Sequence, residues 1–142
     1  MKRYLGLDIG DRTIGIAVSD LLGLTAQGVE TIRRADLEAD ITRLGELMEQ
    51  YETTSLVSGY PKNMNGTEGD RCEFVKEFMA EVQKAYPKAE IFFWDERLST
   101  VAAARSLLEA DVSRRKRRKV IDKMAAVFIL QGFLDSLQAK QE

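Results

Sequence analysis

Apolar positions recur with a period of two near the start of the chain and with a helical period further on, and the changes of period divide it into elements. Residues 3–9 and 13–20 are β-rich runs separated by Gly10, Asp11 and Arg12; a third, 25–33, follows the break around Asp20 and Gly23. In the second run Ile14, Ile16 and Val18 alternate with Thr13, Gly15, Ala17 and Ser19, so one face is bulky and the other small. From Asp36, a candidate N-cap, Leu37, Ile41, Leu44, Met48 and Tyr51 recur at helical spacing. Thr54 to Tyr60 reads as a buried strand closed by Pro61 and the loop from Lys62 to Gly66. A second helix is predicted from about Thr67, with Cys72, Val75, Phe78, Met79 and Val82 inward, until Pro87 ends it. Ala89 to Trp94 makes a fifth strand, Ser99 can cap a helix with Val101, Ala104 and Leu108 inward, and a last helix runs from about Lys119 to Ala139 with Ile121, Ala125, Phe128 and Leu134 on one side.

The order β-β-β-α-β-α-β-α-α has no repeat and no linker, so residues 1–142 are expected to form a single domain. Strands separated by helices pair in parallel and the first three can be antiparallel, which predicts an α/β fold: a mixed five-stranded sheet with helices on both faces. In such sheets chemistry collects at strand ends and helix termini.

Composition narrows the chemistry. Histidine is absent, which removes a histidine base, His-ligated zinc and iron, and the Ser-His-Asp and Cys-His devices. The single cysteine, Cys72, can form neither an intramolecular disulfide nor a thiolate cluster and reads as a small, partly buried apolar residue in a reducing, cytoplasmic setting. No run of about 18 apolar residues is present to span a membrane, and an acid at position 8 interrupts any leader-like start. The formal charge is -2, yet Arg114, Arg115, Lys116, Arg117, Arg118 and Lys119 stand in one run, leaving 15 basic against 23 acidic residues elsewhere. Positive charge is therefore localised, as a polyanion-binding element would need.

Three acids fall where a sheet of this kind places function. Asp8 shares a face of the first strand with Tyr4 and Gly6, while Leu5, Leu7 and Ile9 take the other; a carboxylate in a buried strand requires water, hydrogen bonds or a cation. Asp95 and Glu96 close the fifth strand, where either can be a ligand and where an ion pair with Arg97 is the ordinary alternative. Asp122 opens the last helix, with Ala125 and Ala126 leaving room beside the sheet. One carboxylate from each place would suit Mg²⁺ or Mn²⁺, two of which ~4 Å apart support phosphodiester hydrolysis without histidine. The run Arg114–Lys119, read as a loop, would border that site. The turn-rich segment Ser58–Gly69 could hold a phosphate at a helix start, with Lys62 assisting. Candidate nucleic-acid contacts are thus Lys62, Asn63, Asn65 and Arg97, together with the six residues of the basic run.

Four stretches carry a resemblance: Leu7-Asp8-Ile9-Gly10 with Ile14 to Asp20; Gly59 to Gly66; Asp95-Glu96-Arg97-Leu98-Ser99-Thr100; and Lys119 to Ala126. Together they resemble the YqgF (RuvX) family of Holliday-junction-resolvase-like or pre-16S ribosomal RNA nucleases. The resemblance implies an RNase H-like fold, a metal-dependent nuclease site with Asp8, Glu96 and Asp122 in the acidic positions, and a cytoplasmic role in maturing the 5′ end of the 16S ribosomal RNA precursor. The expected partner is structured RNA, with four-way junction DNA as the alternative; the latter requires a dimer, and a monomer is expected in preference. Two other classes stand beside the nuclease. One is a non-catalytic RNA or pre-ribosome binding factor using the same basic run. The other is an actin- or sugar-kinase-like ATPase, for which one lobe is too few.

Overall fold

A computed structural model describes the backbone of residues 2–98 and 114–141, and the side chains of 2–97 and 124–140. Three strands come first, β1 (Leu5–Ile9), β2 (Thr13–Ser19) and β3 (Ala26–Arg33), followed by helix α1 (Leu37–Gln50) and strand β4 (Ser55–Tyr60). Helix α2 (Asp70–Ala85), strand β5 (Glu90–Asp95), a 3₁₀ turn (Glu96–Leu98) and helix α3 (Arg114–Gln141) complete the order. The strands form one sheet, β3-β2-β1-β4-β5, antiparallel from β3 to β1 and parallel from β1 to β5. The expected mixed five-stranded sheet is present. The expected helix capped by Ser99 lies outside the described residues.

Strand alternation sorts the core into two layers. Leu5, Leu7 and Ile9 of β1 and Ile14, Ile16 and Val18 of β2 pack with Leu44, Leu47 and Met48 of α1 and with Cys72, Val75, Phe78, Met79 and Val82 of α2. The opposite face carries the small residues, and there Ala17 and Val57 meet Ala125, Ala126, Ile129, Leu130, Phe133 and Leu134 of α3. Phe128 joins that layer half-buried. Asp36 caps α1 as its sequence suggests, its carboxylate accepting from the Ala39 amide at 2.8 Å. Leu37, by contrast, is exposed and the inward first-turn residue is Asp40.

Two element boundaries differ from expectation for identifiable reasons. Helix α2 starts at Asp70 rather than near Thr67, because Thr67 is taken into the preceding loop: its amide and hydroxyl donate to the Asn65 side-chain oxygen at 3.1 and 2.6 Å. The basic run is not a loop. Helix α3 begins at Arg114, so all six residues lie in its first two turns, consistent with arginine and lysine being good helix formers.

Helix α3 approaches β1 over Gly6, where a Cβ would stand 2.7 Å from the Leu130 Cβ and 3.1 Å from the Ala126 carbonyl oxygen. Neither atom can yield without moving the helix. Gly6→Val is therefore expected to cost about 1–3 kcal/mol by overpacking, read as a lower urea midpoint, with the loss of helix docking taking activity with it.

Candidate active site at the carboxyl end of the central strands

On β1 the face that carries Gly6 also carries Asp8, which is half-buried between the fully buried Leu7 and Ile9 of the other face. Its partner on β2 is Gly15. The parallel register of β1 with β4 pairs Leu7 with Ser58, and carried one residue further it sets Asp8 beside Gly59. Both flanking strands thus offer a hydrogen in place of a side chain, leaving the carboxylate room above the sheet.

Glu96 reaches the same place from β5. Trp94 points toward α3, its indole lying against Gly132, so alternation turns Asp95 away and returns Glu96 to the α3 side. The Glu96 carboxyl carbon is 3.3 Å from where a Cβ on Gly59 would stand. Asp8 and Glu96, distant in sequence, therefore converge on one glycine.

Asp122 belongs to α3, one turn before Ala126. Further along the helix Gln131 bonds Leu24 and Ala26 at the opposite end of the sheet, at 2.9 Å each, and Phe133 packs on Tyr4. The helix hence runs antiparallel to β1. The four residues from Ala126 back to Asp122 rise ~6 Å, about the length of the two-residue step from Gly6 to Asp8. Toward its start the helix therefore runs to the end of β1 that carries Asp8, with Asp122 on that stretch of its backbone; the Asp122 side chain lies outside those described. Among the described residues no group of three or more potential metal ligands forms. Asp8 and Glu96 both border Gly59 and are half-buried hard oxygen donors, a donor type that fits Mg²⁺ or Mn²⁺.

Asp95, the other strand-end acid, has a different occupation. The Arg97 guanidinium grips it, Nη2 to Oδ2 at 2.8 Å and Nε to both oxygens at 3.1 and 3.2 Å, and this holds the Asp95 carboxyl below the usual carboxylate range. A depressed carboxyl of this kind stabilises the fold fully above the ordinary carboxylate range, and that stabilisation fades only as acid titrates through the lowered value. Arg97 was a candidate nucleic-acid contact; its fork is filled by Asp95.

The loop after β4 is similarly occupied with itself. The Asn63 amide donates to the Thr67 hydroxyl at 2.9 Å, and Asn65 receives the two Thr67 bonds. Lys62 stands over the Tyr60 ring at 6.0 Å. The helix start that follows has Gly69 as N-cap with no side-chain cap bond, but Asp70 and Glu73 fill its first turn and oppose an anion there. The basic run Arg114–Lys119 is placed on α3 immediately ahead of Asp122, with its side chains outside the description.

Two clusters beneath the site are not evident from sequence spacing. Arg34 pairs with the buried Asp40 at 3.0 Å, lies over the Phe74 and Phe78 rings, and donates through Nη1 to the Gly10 carbonyl at 3.0 Å, two residues beyond Asp8. On α2, Lys76 bonds Glu68 at 2.8 Å and Glu68 accepts the Tyr60 hydroxyl. Burial and the Glu68 bond push the Tyr60 phenol up, while Lys76 draws Glu68 down. A cavity of about 730 Å³ lies away from both acids, between the carboxyl ends of α1 and α2, and is lined by Met48, Tyr86 and Pro87.

Among known proteins, the family described as "RuvX: Holliday junction resolvase" matches residues 2–136. A Clostridioides difficile protein is 60% identical over 94% of this chain and 94% of its own length, and one from Clostridium tetani is 54% identical over 97% and 99%. Both are named "Putative pre-16S rRNA nuclease". Among solved structures, Thermus thermophilus RuvC in complex with a Holliday junction superposes with a TM-score of 0.61 at 10% identity, covering 98% of this chain and 97% of that one. The fowlpox virus resolvase in complex with junction DNA gives 0.54 at 8% identity, covering 95% and 98%. These likenesses show that the sheet and its helices have the RNase H-like arrangement of the resolvases.

Proposed function

The chain belongs to the RuvX family, and from that premise we propose that it is a divalent-metal-dependent endonuclease acting on structured RNA in maturation of the 16S ribosomal RNA precursor. The observation that carries the reading is the convergence of Asp8 and Glu96 on Gly59 at the carboxyl end of the central strands. In this proposal Asp8, Glu96 and Asp122 hold Mg²⁺ or Mn²⁺. Such an ion, when bound, supplies Lewis-acid activation of water and charge stabilisation at the reacting phosphate.

The chain's own contribution is binding and placement. The chain has no histidine, and in this reading Asp8 and Glu96 serve as hard oxygen donors. The α3 residues Ala126, Ile129 and Leu130 wall the strand face and keep water from beneath the carboxylates. Arg114 to Lys119, leading into Asp122, hold the phosphate backbone, with Lys62 on the neighbouring loop; contacts of this type position a strand without reading its bases. Asn63 and Asn65, exposed on the same loop, are held in place by their bonds with Thr67 and stand as further contacts to the substrate backbone.

We further take the chain to act as one domain, as a monomer and in the cytoplasm; no described helix is long and apolar enough to cross a membrane. Four-way DNA is the second reading, favoured by the family description and by the two resolvases above. Cleavage of a 5′-extended 16S precursor and of a four-way junction side by side, in Mg²⁺ and in Mn²⁺, separates them. The precursor is expected to be cut at least about tenfold faster, a difference of about 1.4 kcal/mol in barrier. Paired, symmetric nicking of the junction by a dimer, with the precursor untouched, would replace the first reading by the second.

A further inference from the structure

We infer that Asp95 and Arg97 form a positioning pair that aims Glu96 at the metal site, and that Arg97 is not a nucleic-acid contact. The two residues flank Glu96 and are tied to each other by four contacts. The Arg97 amide donates to Asp95 Oδ1 at 3.0 Å, Nε lies 3.1 and 3.2 Å from the two oxygens, and Nη2 lies 2.8 Å from Oδ2. Asp95, the last residue of β5, lies opposite Trp94 and so away from α3, and the tie holds the Arg97 side chain to it, apart from the Glu96 side chain between them. The Glu96 side chain faces Gly59, where its carboxyl carbon is found.

The tie is built into its surroundings. The remaining nitrogen, Nη1, reaches the Met64 carbonyl oxygen at 3.4 Å, joining the end of β5 to the loop after β4. Gly66 in that loop has a φ of +88°, and a Cβ on it would stand 3.3 Å from Nη1 and 3.8 Å from Nη2. The glycine therefore serves both the turn and the seat of the guanidinium. Recognition of a phosphate by arginine depends on the same two-pronged geometry that Asp95 already fills. Asp95 itself keeps only 15% of its side-chain surface exposed, against 31% for Arg97. Freeing the fork to bind RNA would leave a largely enclosed carboxylate without its cation.

The inference rests on the reading of Glu96 as a metal ligand, and its test reads metal binding and RNA binding separately. Arg97→Gln, Asp95→Asn and the double variant are titrated with Mn²⁺ in the absence of RNA, and RNA affinity is measured against salt concentration. Loss of groups that orient a metal ligand weakens metal affinity by roughly 10–100-fold. Each variant is expected to show about that loss of Mn²⁺ affinity and a matching rise in the Mn²⁺ needed for cleavage, with KM for RNA unchanged. The double variant is expected to be no worse than either single one, since the two residues act as a unit. RNA affinity and its salt slope should match wild type, whereas replacing Arg114 to Lys119 by glutamine flattens the slope. If Arg97→Gln instead lowers the slope by about one and leaves Mn²⁺ affinity intact, Arg97 is a phosphate contact and the inference is overturned. Should Arg97→Gln fail to fold, Asp95→Asn, which keeps the shape of the side chain, decides alone. Wild-type protein that binds no Mn²⁺ and cuts no nucleic acid would remove the metal-site reading itself; wild-type behaviour of the variants in an active, Mn²⁺-binding protein overturns the inference only.

Discussion

Asp8→Asn is expected to lower cleavage by more than about a hundredfold, some 2.7 kcal/mol of barrier, while the unfolding midpoint measured without divalent ions does not fall. The two halves of this result have one cause. Asparagine keeps the size of the side chain, so the packing between β1 and α3 is undisturbed, but it replaces an anionic oxygen donor with a neutral amide. Asp8 and Glu96 are half-buried and both border Gly59, and asparagine removes one of the two negative charges brought there. Adding Mg²⁺ should restore the contrast in the opposite sense. Wild type gains stability on binding the ion, about 2.7 kcal/mol at a hundred times the dissociation constant, and the variant gains far less. Thermal melts with and without Mg²⁺, beside a cleavage assay, check both. Cells carrying Asp8→Asn at normal levels that mature their 16S ribosomal RNA fully would favour the non-catalytic binding factor over the enzyme.

The largest effect on stability is expected at Arg34. Asp40 is 2% exposed and Arg34 16%, so Arg34→Met leaves a buried carboxylate without its cation and costs about 3–5 kcal/mol. It also removes the donor to the Gly10 carbonyl, loosening the chain just after Asp8. Replacing both partners, Arg34→Met with Asp40→Leu, should recover most of the loss, because the cost lies in the orphaned charge rather than in the pair itself. Chemical denaturation of wild type, the single variant and the double variant tests this. A single variant within about 1 kcal/mol of wild type would show that water reaches Asp40.

How far the sequence could be read varies with the physics at each position. The strands were legible because alternation is a local signal: Leu5, Leu7 and Ile9 against Gly6 and Asp8, and Ile14, Ile16 and Val18 against Gly15 and Ala17, are sorted in the structure as their periods suggest. The inner stripe of α2 was legible for the same reason. Asp95 and Glu96 could not be told apart by spacing, since both close the same strand. What separates them is which face Trp94 takes, and that depends on the docking of α3 against Gly132. Asp40 reads as an ordinary first-turn acid, and only the return of β3 alongside α1 brings Arg34 to bury it. Helix α2 starts later than the helical period suggests because Thr67 bonds Asn65, a side-chain competition that the period does not record. The charge of the basic run suggests a loop, although its arginines and lysines favour the helix that forms. Arg97 carries the right donors for a nucleic acid, but its nearest partner, Asp95, lies within the fold.

The most direct measurement is the anomalous diffraction of a crystal soaked in Mn²⁺. The expected result is manganese bonded jointly by Asp8 and Glu96 above Gly59, at roughly the 2.0–2.1 Å typical of small hard divalent ions, with Asp122 completing the site from α3. Manganese bound elsewhere, or an Asp122 side chain directed away from the other two, would contradict it.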